Sequence, residues 1–171
     1  VTSDGDHIIT GGADGVIRVW RFDNGGLVRT LTGHTDFVVA LENMPDGEHV
    51  VSGSFDGTIR VWRVADGSEV KRIDTGAREV NGIALRNDGT KVLSACNDGM
   101  IRLWDLKTGS LVKTYVGHLG PVSSVAFVPD SRFFVSGGVD KTVRLWDETQ
   151  DTAVGAFEEH TDAVSAVDVT R

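Results

Sequence analysis

The sequence predicts an all-β chain built from a repeated four-stranded antiparallel unit, and three observations predict it. The four tryptophans, Trp20, Trp62, Trp104 and Trp146, stand 42 residues apart, and a fixed period in this range marks a repeat architecture. Apolar and polar residues alternate with a period of two nearly everywhere, and β-branched residues dominate the strand interiors. Seven Asp-Gly pairs, beginning at Asp4, Asp14, Asp46, Asp56, Asp66, Asp88 and Asp98, punctuate the chain. Asp-Gly is among the strongest hairpin signals, because both central residues of the favoured two-residue turn need positive φ. No stretch reads as a helix.

The unit around Trp62 shows the strands in order. FVVALENM, from Phe37, alternates until Pro45-Asp46-Gly47 breaks it. HVVSGS, from His49, is the second strand, and Phe55-Asp56-Gly57 turns it into TIRVW, the third. Ala65-Asp66-Gly67 then turns into SEVKRID, the fourth. Pro45 and Pro129 sit between the first two strands, where no ladder N–H is needed. The third strand recurs as ADGVIRVW, FDGTIRVW, NDGMIRLW and VDKTVRLW. The opening strand recurs as GHTDFVVALENM, TGAREVNGIALR, GHLGPVSSVAFV and, with no Trp after it, EHTDAVSAVDVT from Glu159. The units therefore span residues 35–74, 77–116 and 119–158, preceded by residues 7–31, which lack an opening strand. Residues 163–169 lie four periods past that missing strand and complete the first unit if the ends meet. The chain opens Val1-Thr2-Ser3 with no initiator Met, as a fragment or processed product would.

The Gly-His pairs at Gly33-His34 and Gly117-His118, the Asp in the tight turn and the Trp together resemble the WD-repeat family of β-propellers. Trp104-Asp105 and Trp146-Asp147 keep the naming dipeptide, whereas Trp20-Arg21 and Trp62-Arg63 depart from it. The resemblance covers essentially the whole chain and implies four-stranded blades packed face to face in a ring. It also implies a hydrogen-bonded tetrad in each blade: His34, Ser52, Asp56 and Trp62 in the second, and His118, Ser136, Asp140 and Trp146 in the fourth. The third blade keeps Ser94, Asp98 and Trp104 but has Gly76 in place of the His, so Asp98 must find another donor or a water. In the first, Thr10, Asp14 and Trp20 lack a His, which His160 supplies if the ends meet. Such blades usually close in rings of about seven or eight. Four blades thus imply half of an eight-bladed ring, completed by a homodimer that exchanges terminal strands or by the rest of a longer chain. A closed four-bladed ring is the strained alternative.

Composition narrows the function. The net charge is −8, which argues against a phosphate-backbone binder and against docking on anionic lipid. No apolar run approaches the roughly 20 residues of a membrane span. Cys96 is the single cysteine, so no internal disulfide and no cysteine-cluster zinc site is expected. No His or Cys pair has metal-ligand spacing, and no cofactor is expected. The single cysteine and the lack of a leader at the start point to the cytoplasm or nucleus.

His, Ser and Asp recur together, as in a hydrolase triad. However, they recur once per unit and always beside a Trp, so the set reads as structure. Arg18, Arg60, Arg102 and Arg144 recur two residues before each Trp and read as stems packed on the indole with their heads paired. The informative positions keep the frame and change the residue. The family resemblance implies that partners use the narrower face, at the start of the first strand and just before the tight-turn Asp. There stand Phe37 and Phe55, expected side by side, with Leu119 and Val139 as a similar pair, and Arg78, Glu79 and Asn97 as polar neighbours. Exposed aromatics at such places are what interface anchors look like. The expected function is a non-enzymatic scaffold that binds a protein or peptide. The alternatives are an architectural half-propeller and, last, a propeller-fold hydrolase.

Overall fold

A computed structural model describes residues 1–2 and 4–170. Among the described residues fifteen strands form four antiparallel sheets. Sheet 1 holds β1 (His7–Gly11), β2 (Ile17–Arg21) and β3 (Leu27–Leu31). Sheet 2 holds β4 (Val38–Asn43), β5 (His49–Ser54), β6 (Thr58–Arg63) and β7 (Glu69–Asp74). Sheet 3 holds β8 (Val80–Leu85), β9 (Lys91–Cys96), β10 (Met100–Asp105) and β11 (Leu111–Val116). Sheet 4 holds β12 (Val122–Phe127), β13 (Phe133–Gly138), β14 (Val143–Asp147) and β15 (Gly155–Phe157). Each sheet is a meander of sequential neighbours.

The turns differ from the expected two-residue type. Among the described residues only Asp130 and Lys141 are non-glycine residues with positive φ, so the Asp of each Asp-Gly pair keeps ordinary geometry. The Gly alone turns left-handed, with φ between 70 and 81° at all seven sites. At β5–β6 the Gly57 N–H donates to the Ser54 carbonyl at 3.1 Å. This is a type I turn closed by a left-handed glycine, the longer hairpin solution. The Asp serves a different purpose from the one expected. All seven accept the N–H two residues on, for example Thr58 N to Asp56 Oδ1 at 2.9 Å. A short acidic side chain can fold back onto its own backbone in this way.

The core lies in the seams between sheets. Ile17, Val19 and Leu31 of sheet 1 pack on Val38, Val50 and Trp62 of sheet 2. Val51, Ile59, Val61 and Ile73 of sheet 2 pack on Val80, Val92 and Trp104 of sheet 3. Leu93, Ile101, Leu103 and Tyr115 of sheet 3 pack on Val122, Phe134 and Trp146 of sheet 4. Small residues set the spacing: a Cβ on Gly11 would meet Val38 at 2.7 Å, and one on Gly53 would meet Ile83 at 2.8 Å. The inner strand of each sheet therefore rests almost on the backbone of the sheet before it.

The ends do not meet within the chain. Sheet 1 has three strands, and residues 163–169 belong to no strand. They lie instead on sheet 4, where the Val164 N–H donates to the Gly138 carbonyl at 3.0 Å. A Cβ on Gly137 would meet Val164 at 2.5 Å, which is the Gly11–Val38 contact repeated. The described chain is thus an open arc of four sheets, a partial propeller, and the four-bladed closed ring is not what it forms.

Candidate interaction surface

The recurrent polar sets come first, because they hold the ends of the sheets in place. Val50 pairs with Trp62 across β5–β6. Ser52, two residues on and on the same face, reaches the indole diagonally. The Trp62 Nε1–H donates to Ser52 Oγ at 2.8 Å, and Ser52 Oγ lies 2.7 Å from His34 Nε2. His34 Nδ1 lies 2.8 Å from Asp56 Oδ2. These partners fix the roles: Nδ1–H donates to the carboxylate, and Nε2 accepts from the serine hydroxyl. Sheet 4 repeats the set, with Trp146 to Ser136 at 2.8 Å, Ser136 to His118 at 2.7 Å and His118 to Asp140 at 2.9 Å.

Burial opposes the Asp56 carboxylate, but donation from Thr58 and His34 outweighs it and holds its pKa at about 2. Asp140 also lies at about 2, where the Leu119 N–H and His118 overcome burial. Burial lowers the pKa of His34 and His118 more than their carboxylates raise it, so both imidazoles are neutral near pH 7. Ser52 and Ser136 are fully buried, and each set locks the inner, second and third strands of its sheet together at one end.

Where the histidine is missing, arginine takes the carboxylate. In sheet 3, Asp98 holds both Arg102 nitrogens, at 3.2 and 2.6 Å, and Trp104 Nε1–H donates to Ser94 at 3.0 Å. In sheet 1, Asp14 holds Arg18 at the same 3.2 and 2.6 Å, and Trp20 donates to Thr10 at 2.9 Å. His160 is exposed, and the Asp14 carboxylate takes Arg18. In sheet 2, which has its histidine, Arg60 lies over the Trp62 ring at 6.0 Å and donates to Glu69 at 2.7 Å. Cys96 is fully buried beside Ser94, and burial raises its pKa.

The locks fix one end of each sheet, where the inner strand begins and the second strand turns into the third. The backbone ties these places together in the same way three times. Phe55 N–H donates to Phe37 O at 3.0 Å, Asn97 N–H to Glu79 O at 3.1 Å, and Val139 N–H to Pro121 O at 2.9 Å. The rings of Phe37 and Phe55 stack with centroids 5.7 Å apart and planes 16° apart, and Phe37 stays 46% exposed. Beside them lies a concavity of about 410 Å³ lined by Val39, Phe55, Glu79, Asn81, Asn97, Pro121, Ser123 and Val139.

Five of the residues expected at the site, Phe37, Phe55, Glu79, Asn97 and Val139, therefore lie at or beside one hollow. Arg78 is exposed but does not line it. Leu119 stands 89% exposed and does not line the hollow, while Val139 does. Three lining residues were missed: Val39, Asn81 and Ser123. Each is the residue at which an inner strand bulges, between Val38 and Ala40, Val80 and Gly82, and Val122 and Ser124, and a bulge re-aims a side chain in a way that period-two spacing does not signal. A second hollow of about 390 Å³, at the opposite end of sheets 2 and 3, is lined by Met44, His49, Val61, Val70 and Leu106, among others.

A family model described as WD domain, G-beta repeat matches residues 1–21, 25–63, 68–105 and 109–147. The chain belongs to the WD-repeat family. A comparison with curated proteins gives no match. In WD-repeat terms sheets 1–4 are blades, and the stacked phenylalanines stand on the blade end expected to carry partner contacts. Family membership supports a general role as a protein-interaction scaffold.

Proposed function

We propose that the chain is a non-enzymatic scaffold that captures a protein or peptide segment across the ends of blades 2–4. The observation that carries this reading is the exposed Phe37–Phe55 stack beside the hollow lined by Glu79, Asn81 and Asn97. An exposed aromatic pair offers large apolar area at little entropic cost, and side-chain amides beside it supply orientation. The buried locks behind it keep the hollow formed before a partner arrives, which lowers the cost of binding. The net charge of −8 favours a basic or apolar segment.

Panning a random peptide display library on the chain tests the reading. Enriched peptides should lose affinity by about 1–3 kcal/mol, roughly 5- to 150-fold, for Phe37→Ala. Peptides that bind the variant as well as the wild type sink the assignment of the site. A second reading, the half-propeller that completes a larger ring, is favoured by the position of residues 163–169 on blade 4. It uses blade faces rather than blade ends, so both roles can coexist.

A further inference from the structure

We infer that the hollow at the ends of blades 2–4 takes one long basic side chain, lysine or arginine, of the captured segment, and that Glu79 is the group that selects it. The inference rests on the blade ends being the capture site and adds the chemistry they read. The repeat frame carries the first part of the argument. Three positions of each blade stand at or beside the hollow: the start of the inner strand, the bulge within it, and the residue before the tight-turn Asp. In blade 2 they are Phe37, Val39 and Phe55, all apolar. In blade 3 they are Glu79, Asn81 and Asn97, all polar. In blade 4 Pro121 and Val139 are apolar again, and only Ser123 is polar. None of these residues belongs to a seam core, so packing between blades does not demand the change. The outcome is a polar strip between two apolar walls. An amphipathic side chain fits that layout, with its stem against apolar surface and its charged head at a polar group.

Charge carries the second part. Among the described residues no cation pairs with the Glu79 carboxylate. The arginines that recur beside the locks are engaged: Arg60 by Asp56 and Glu69, Arg102 by Asp98, and Arg144 by Asp140. Arg78 is exposed and does not line the hollow. Beside Glu79, Asn81 Nδ2–H donates to the Val122 carbonyl at 2.9 Å. A carbonyl only accepts, so this bond fixes the amide and leaves Oδ1 as its free acceptor. A carboxylate and an amide oxygen, with no cation in the lining, suit a head group rich in N–H donors. An apolar anchor would cover the carboxylate and leave it without water or partner, and an acidic one would meet like charge.

The walls carry the third part. Phe55 is half-buried and held against Phe37 by the stack, and aromatic rings attract ammonium and guanidinium groups. The volume of about 410 Å³ lies at the low end for ligand pockets, room for one side chain rather than an element of secondary structure. The chain's net charge of −8 steers a basic segment towards it.

Panning a random peptide display library on the chain and on Glu79→Gln tests this. The glutamine keeps the shape of the residue, and the backbone carbonyl at 79 still takes the Asn97 N–H, so an unchanged melting temperature is expected. Peptides selected on the wild type that need Phe37, by their loss on Phe37→Ala, should share a lysine or arginine. Replacing that residue by norleucine keeps an apolar stem and removes the charge. It should lower affinity roughly tenfold on the wild type and under about twofold on Glu79→Gln. Glu79→Lys should turn the selection to peptides with Asp or Glu at that place. Peptides that need Phe37 but share no basic residue overturn the inference and leave the capture site standing. A norleucine loss of equal size on wild type and Glu79→Gln does the same, and so do basic peptides selected by Glu79→Lys. Peptides indifferent to Phe37→Ala, or a library that yields no binder, overturn the capture site and the inference with it.

Discussion

Replacing Ser52 by Ala should cost far more than the loss of one hydroxyl suggests, and the cost should depend on which blade is altered. Ser52 is fully buried, receives the Trp62 indole N–H at 2.8 Å and donates to His34 at 2.7 Å. Its removal leaves two buried polar groups without partners, at about 1–3 kcal/mol each, so the expected loss is about 3–4 kcal/mol. Ser94 in blade 3 is equally buried but takes the Trp104 N–H at 3.0 Å and, in place of a histidine, only the weak Cys96 thiol donor at 3.5 Å. Ser94→Ala should cost about half as much. Thr10 in blade 1 is exposed, so water replaces it and Thr10→Ala should cost under about 0.5 kcal/mol. Urea unfolding followed by circular dichroism gives the three values on one scale. Equal losses at Ser52 and Ser94 would refute the reasoning, because they would show that the histidine link carries no energy. A loss at Thr10 matching that at Ser52 would do the same for burial.

Three further outcomes follow from the same geometry. Lys141 occupies a position where the other blades carry glycine and is held at φ 68°; Lys141→Gly should raise stability by up to about 1 kcal/mol, and an unfolding midpoint that falls would contradict the strain. Acidification should weaken the fold in two stages. His34 and His118 have folded pKa values below 6.5 because of burial, so the unfolded chain takes up protons first and stability declines as pH falls below about 6.5. Asp56 and Asp140 are moved from 3.8 to about 2, so their share, about 2 kcal/mol each, is complete above pH 3.8 and is lost as pH falls towards 2. Melting temperature against pH should therefore fall less between pH 7 and 5 in a His34→Gln, His118→Gln double variant, and a rise on acidification would contradict the sign. Phe37→Ala should leave the melting temperature within about 2 °C of wild type, since 46% of that residue faces solvent; a large drop would place Phe37 in the core.

Most of the fold was legible because its units repeat. The 42-residue spacing of the tryptophans fixes strand order, seam residues and lock residues at once. The turn chemistry was misread because Asp-Gly serves two turn types, and the choice depends on the Asp side chain folding onto its backbone, a contact that spacing does not reveal. Asp98 illustrates a second limit: the sequence showed that its histidine was missing, but the bidentate Arg102 that replaces it is seen only once both side chains are placed. At the interaction surface, Phe37 and Phe55 were legible because they break the repeat with aromatics. Val39, Asn81 and Ser123 were not, because ordinary strand residues become a lining only when three sheets converge. Where residues 163–169 lie also escaped the sequence, since periodicity names a strand's place in the repeat without saying which sheet it packs on.

The central claim is that partners are read at the blade ends that carry the phenylalanine stack. Chemical-shift mapping tests it most directly, by titrating a display-selected peptide into isotope-labelled chain. The account predicts shifts concentrated at Phe37, Val39, Phe55, Asn81, Asn97 and Val139. Shifts concentrated instead at Met44, His49, Val61, Val70 and Leu106, in the hollow at the opposite end, would contradict it.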